Sequence, residues 1–144
     1  QVPFREVYVH GLVRDGEGAS KFVAIEVSGA GSDDDAKKIA RAIAMSALCK
    51  TAFFGQDPNW GRVACAVGYA GVAFDPAKLS IRLDDIELMR DGAAAVFEEA
   101  AAAACMQRPE FRIQVSVGDG CGKAQYWTCD FSHDYVTINA DYRT

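Results

Sequence analysis

Glu17 is the residue whose setting most invites chemistry, because it stands between two glycines in the run Arg14-Asp15-Gly16-Glu17-Gly18. Gly16 and Gly18 permit positive φ and a close backbone approach, so a carboxylate held there can meet an ammonium group on a ligand. The same residues also describe a surface acid in a flexible turn, since loops carry many such acids. The polar run Asn139-Ala140-Asp141-Tyr142-Arg143-Thr144 is open in the same way, because a chain end frays unless something docks it.

Other groupings of reactive residue types have the wrong spacing for catalysis. Gly118-Asp119-Gly120-Cys121-Gly122-Lys123 ends in Gly-Lys, yet a phosphate cradle needs a longer gap between its first glycine and that pair, then Ser or Thr and a helix. Ala124 instead opens a strand pattern, so the glycines read as the turn of a β-hairpin. Ser132, His133 and Asp134 are consecutive, and neighbours on a helix or strand point apart, which is poor geometry for a triad. The other histidine, His10, has no serine or cysteine in a nucleophile setting beside it. Asp84-Asp85 and Glu98-Glu99 read as solvated rims rather than acid/base pairs. Asp33, Asp34 and Asp35 diverge around a helix and compensate its dipole better than they would hold a metal. Cys49, Cys65, Cys105, Cys121 and Cys129 form an odd set without CxxC spacing, read as reduced, mostly buried thiols in a reducing compartment. No metal site is expected.

Around these residues the periodicity predicts a mixed set of elements. Phe4, Val7, Tyr8 and Leu12 fit the last turns of a helix, and Phe22–Val27 a strand with β-branched Val23, Ile25 and Val27. Ser32 should cap a helix running to about Leu48, with Ala36, Ile39, Ala40, Ile43, Ala44 and Ala47 facing inward. Residues 54–62 form a polar, turn-rich segment before a helix over Val63–Tyr69, capped by Asn59 or Asp57. Strands follow near Leu79–Leu83 and Ile86–Met89, then a helix over Ala93–Cys105 from its alanine content. Phe111–Val117 is the clearest strand, paired in the hairpin reading with Ala124–Phe131, and Tyr135, Ile138 and Tyr142 fit a short terminal helix. The fold class is α+β, with a division between residues 1–75 and a smaller unit, 76–144.

With 144 residues and 50% hydrophobic content, the chain can bury a core without disulfides or metals. A net charge of -5 leaves no basic face for phosphates, which argues against a nucleic-acid partner. No apolar run approaches the ~20 residues of a membrane span, so a soluble protein is expected. Gln1-Val2-Pro3 lacks an initiator methionine and any targeting composition, as in a processed or trimmed chain.

Four segments, in order, resemble one family over essentially the whole chain: Arg14–Phe22 (RDGEGASKF), Asp57–Arg62 (DPNWGR), Trp127–Ser132 (WTCDFS) and Tyr135–Thr144 (YVTINADYRT). On these the chain resembles the C-terminal part of the β-chain of the ornithine acetyltransferase (glutamate N-acetyltransferase) family. The resemblance implies a fold shared with certain aminopeptidases and a precursor that cuts itself before a threonine. That new N-terminal threonine becomes acetylated by N2-acetylornithine and passes the acetyl group to glutamate, recycling acetyl in arginine biosynthesis. No cofactor is implied, although some members use acetyl-CoA as a substrate.

Carried over by motif, the family's substrate-binding residues fall on Glu17, Asn139 and Thr144. Lys21, Asp57, Asn59, Trp60 and Arg62 belong to characteristic segments but are assigned first to pocket shape and packing. The nucleophile, the oxyanion hole and a binding lysine precede this segment in the family, so no catalytic residue is assigned here and Thr51, Thr128 and Thr137 are not substitutes. The implied partners are the α-chain and the N-terminal part of the β-chain, in an (αβ)2 assembly. The implied compartment is the cytoplasm, or the plastid stroma or mitochondrial matrix in a eukaryote. Rival readings are an aminopeptidase of the same fold and a non-catalytic interaction fragment.

Overall fold

The computed structural model describes residues 21–130. The helix expected near residues 4–13, the loop holding Glu17 and the terminal segment holding Asn139 and Thr144 lie outside the described residues. The elements run β1 (Phe22–Ala30), α1 (Asp33–Ala44), α2 (Ala47–Phe54), α3 (Trp60–Tyr69), a 3-10 turn (Pro76–Lys78), β2 (Ser80–Leu83), β3 (Ile86–Arg90), β4 (Ala93–Ala94), α4 (Glu99–Met106), β5 (Glu110–Ser116) and β6 (Gly122–Cys129). This is the α+β mixture the periodicities call for.

The strands form one sheet in the order β4-β3-β2-β5-β1-β6. β1 runs parallel to β5 and antiparallel to β6, with Ile25 opposite Ile113 on one side and Tyr126 on the other. The expected hairpin between β5 and β6 is therefore wrong, because β1 lies between them. Alternation fixes which face a side chain takes but not which strand sits beside it. The glycine segment crosses the end of β1: Val117 N–H donates to the Ser28 carbonyl at 3.1 Å and Gly120 N–H to the Gly29 carbonyl at 3.0 Å. A Cβ on Gly120 would collide with the Ala30 carbonyl, so this crossing requires glycine there. As for the division expected at residue 75, β1 lies before it and both of β1's neighbours after it, and one buried core draws on both sides.

Val23, Ile25 and Val27 of β1 share a face with Ile81 and Leu83 of β2 and with Ile113 and Val115 of β5, all buried. Against them pack Ala36, Ile39, Ala40, Ile43 and Ala44 of α1, Phe53 of α2, Val67 of α3 and Met106 of α4. Each fully buried Ile or Val contributes about 1.5–3 kcal/mol. Phe53 meets Phe111 edge-on, with ring centroids 5.8 Å apart. The opposite face of the sheet bears a cross-strand row, Arg82, Gln114, Glu26 and Gln125, in direct register. Arg112 and Trp127 follow on that same face.

Two helix expectations shift for local reasons. Ser32 caps α1 through its hydroxyl, which accepts the Asp35 N–H at 3.1 Å. The helix stops at Ala44 rather than Leu48, because Ser46 accepts the Cys49 N–H at 3.2 Å and starts α2, leaving Ala47 exposed. The helix expected from Ala93 begins only at Glu99, and Ala93–Ala94 instead pair with β3. Asp91 and Gly92, at φ 48 and 81, make the two-residue turn of a hairpin, and this overrides alanine's helical preference. Asn59 caps α3, its side-chain oxygen accepting the Arg62 N–H at 3.1 Å.

Candidate functional site

Glu17, Asn139 and Thr144 all lie outside the described residues, so neither their positions nor their mutual distances follow from this structure. The roots of the two segments that carry them are described. Because β1 and β6 are antiparallel, the start of one and the end of the other share an end of the sheet, with Phe22 opposite Cys129. One step further, the Lys21 backbone N–H donates to Asp130 Oδ1 at 2.9 Å. Lys21 Nζ donates to the Gln107 carbonyl at 3.1 Å, and the Phe22 N–H to the Pro109 carbonyl at 2.8 Å. The RDGEGASKF and WTCDFS segments thus meet here. Glu17 stands four positions before Lys21 and Asn139 nine after Asp130. A fully extended chain would cover about 14 Å and about 31 Å over those spans.

The DPNWGR segment serves the scaffold. Asn59 Nδ2 donates to Asp57 Oδ2 at 3.1 Å, and Arg62 Nη1 donates to the Leu48 carbonyl at 3.0 Å and to Thr51 Oγ1 at 3.3 Å, tying α3 to α2. Trp60 packs against the core. The internal threonines are similarly occupied: Thr128 Oγ1 donates to the Ala44 carbonyl at 2.8 Å, and Thr51 Oγ1 to the Leu48 carbonyl at 3.0 Å. Thr128 is buried and fastens the end of α1 to β6.

One cluster escaped the sequence reading. Asp84, expected on a solvated rim, has a side chain only 18% exposed. Its Oδ1 accepts the Arg112 N–H at 3.1 Å and Nε at 3.4 Å. Its Oδ2 accepts Arg108 Nη2 at 2.7 Å and the Cys105 thiol at 3.1 Å. The group borders an open cleft of about 480 Å³ that Phe22, Glu110 and Trp127 also line. Both guanidiniums are already engaged by Asp84, and Glu26 lies 3.9 Å from Arg112, so among the described residues the cleft has no spare cation for an anionic ligand. The cluster is a clamp between the β2–β3 turn, α4 and β5.

Burial pushes the Cys105 thiol above its ordinary range, with the hydrogen bond to Asp84 acting in the same direction. Burial does the same to Cys49 and Cys129. A protonated thiol is a poor nucleophile, so none of the three is set for covalent catalysis. The expectation of mostly buried cysteines needs correction, since only Cys49 and Cys105 are buried while Cys65 and Cys121 are exposed. Among the described residues no group of three or more His, Cys, Asp or Glu is placed to hold a metal, and no helix is long and apolar enough to cross a membrane.

The fold and the site together define a mixed-sheet α+β scaffold that joins the roots of two polar segments. Comparison with known proteins says which scaffold: the sequence profile of the ArgJ family matches residues 6–144, and the chain belongs to that family. The "Arginine biosynthesis bifunctional protein ArgJ" of Zymomonas mobilis is 51% identical over 134 residues, covering 92% of this chain and 33% of that one. The mitochondrial protein of that name from Yarrowia lipolytica is 46% identical over 140 residues, covering 92% of this chain and 32% of its own length. The crystal structure of the Bacillus halodurans protein superposes with a TM-score of 0.92 at 38% identity, over 95% of this chain and 65% of that one. The chain therefore spans about a third of the curated relatives it matches.

Proposed function

We propose that the chain is the C-terminal part of the β-chain of an ornithine acetyltransferase, and that it supplies substrate-binding groups to a threonine nucleophile carried elsewhere in the same precursor. The transfer runs in two steps. The threonine hydroxyl, with its own α-amine as base, takes the acetyl group from N2-acetylornithine and releases ornithine; glutamate's amine then takes the acetyl from the threonine ester. Water has to be excluded between the steps. Glu17 pairs with the ammonium of the ornithine side chain, and Asn139 and Thr144 bond the amino-acid head that both substrates share.

The observation that carries this reading is the junction of Lys21 with Asp130, which roots the Glu17 segment and the terminal segment side by side. The rest of the precursor packs on the sheet face opposite the helices, as an α-chain and the N-terminal part of the β-chain in an (αβ)2 assembly. That is supported by the polar row Arg82, Gln114, Glu26 and Gln125 and by Gln114 Oε1, which is buried without a donor among the described residues. The reaction needs no cofactor, and acetyl-CoA is an alternative acetyl donor. The compartment is a reducing one, either the cytoplasm or an organelle such as those named for the mitochondrial and chloroplastic relatives.

The test is Glu17→Ala in the full precursor. Losing one charge-assisted contact of roughly 1.5–3 kcal/mol should raise the KM for N2-acetylornithine by about 10- to 100-fold while self-cleavage continues. An unchanged KM would remove Glu17 from the pocket.

A further inference from the structure

We infer that Asp130 is a positioning residue for substrate binding: its carboxylate locks the root of the segment bearing Glu17 to the root of the segment bearing Asn139 and Thr144. The inference rests on the proposed roles of those three residues and adds a part to them. Asp130 is 0% exposed, an unusual place for a carboxylate, and the threonine chemistry proposed above gives it no task.

Its geometry gives it one. The β1–β6 ladder ends at the pair Phe22 and Cys129, and the next step would pair Lys21 with Asp130. There the Asp130 side chain accepts the Lys21 N–H at 2.9 Å, across 109 positions of sequence. Lys21 is also anchored through Nζ to the Gln107 carbonyl at 3.1 Å, and its neighbour Phe22 through its N–H to the Pro109 carbonyl at 2.8 Å. Lys21, three positions after the RDGEG run, is therefore held by backbone and side chain against both the end of β6 and the α4–β5 connection. A buried side-chain acceptor fixes the direction of the backbone N–H at Lys21 and ties it to Asp130. Releasing that lock removes the fixed geometry at Lys21 and Asp130, and the entropy lost in restoring it on binding reduces affinity rather than the rate of the bound complex.

The experiment uses the full precursor, assayed for acetyl transfer from N2-acetylornithine to glutamate, with Asp130→Ala, Asp130→Asn and Asp130→Glu. Asn keeps an oxygen that can accept the Lys21 N–H, whereas Ala deletes it and Glu moves it by one methylene. Asp130→Ala should raise the KM for both substrates about tenfold, equivalent to about 1.4 kcal/mol, with kcat within about threefold of the parent. Asp130→Asn should bring both KM values back to within about threefold. Should the alanine variant fail to fold, Asp130→Glu carries the test, with the same joint rise in both KM values.

A variant set that only lowers the melting temperature, with parental KM values in the folded fraction, would overturn the role of Asp130 and leave the pocket reading intact. Asparagine as damaging to KM as alanine would also overturn it, because the acceptor would then not be what matters. A parent precursor with no acetyl transfer would instead bring down the pocket reading, and this inference with it.

Discussion

Replacing Asp84 should expose how the sheet and α4 are held together. The carboxylate accepts the Arg112 backbone N–H, worth about 1 kcal/mol, and that bond is lost in Asp84→Ala. Its two ion pairs count for less, since the Arg108 and Arg112 side chains are 60% and 51% exposed, and together they add roughly 1 kcal/mol after solvent screening. Asp84 also sits at φ 50, where alanine is less favourable by about 1 kcal/mol. The sum for Asp84→Ala is about 3 kcal/mol. With a denaturant slope of about 1.5 kcal/mol per molar, the urea midpoint should fall by about 2 M.

Two further variants separate the contributions. Asp84→Asn keeps an acceptor for the Arg112 N–H and tolerates positive φ, so it should cost only about 1 kcal/mol. Asp84→Gly loses the side chain but relieves the backbone, and should lie about 0.5–1 kcal/mol above alanine. Urea unfolding followed by far-UV circular dichroism gives the ranking. Alanine within about 0.5 kcal/mol of the parent, or glycine no better than alanine, would refute the reasoning.

The cysteines and the helix caps give further checks. Iodoacetamide at mildly alkaline pH should label Cys65 and Cys121 well before Cys49 and Cys105, as read by peptide mass spectrometry, because the first two are exposed and the other two are buried with raised pKa values. Since Cys49, Cys105 and Cys129 hold their protons more tightly folded than unfolded, the folded state binds more protons above the ordinary thiol value of 9.0. Stability should therefore hold below that pH and decline as pH rises through the raised values, measurable as a falling urea midpoint. Asn59→Ala removes the α3 cap and the bond to Asp57, and should cost about 1–2 kcal/mol in the same unfolding assay.

What the sequence revealed was mostly local. Ser32 and Asn59 announce their helices because a cap acts within three residues of itself. Val23, Ile25 and Val27 announce β1 because alternation is a property of the strand alone. The insertion of β1 between β5 and β6 could not be read that way, since it depends on which distant strand supplies the hydrogen bonds. Asp84 looked like a rim acid for the same reason: Arg108 and Arg112 lie 24 and 28 positions away, with α4 intervening. At Ser46 and at Asp91-Gly92 a cap and a tight turn override the helix preference of the neighbouring alanines. For the site, the four family segments were visible as motifs, and the structure joins two of them at Lys21 and Asp130. Glu17, Asn139 and Thr144 themselves lie outside the described residues.

The most direct measurement is a crystal structure of the self-cleaved full-length enzyme with ornithine bound. The account predicts the Glu17 carboxylate and the Asn139 and Thr144 side chains around one ligand, each with a polar atom about 3 Å from it. Ornithine bound beside the threonine nucleophile, with Glu17 in solvent on another face, would contradict it.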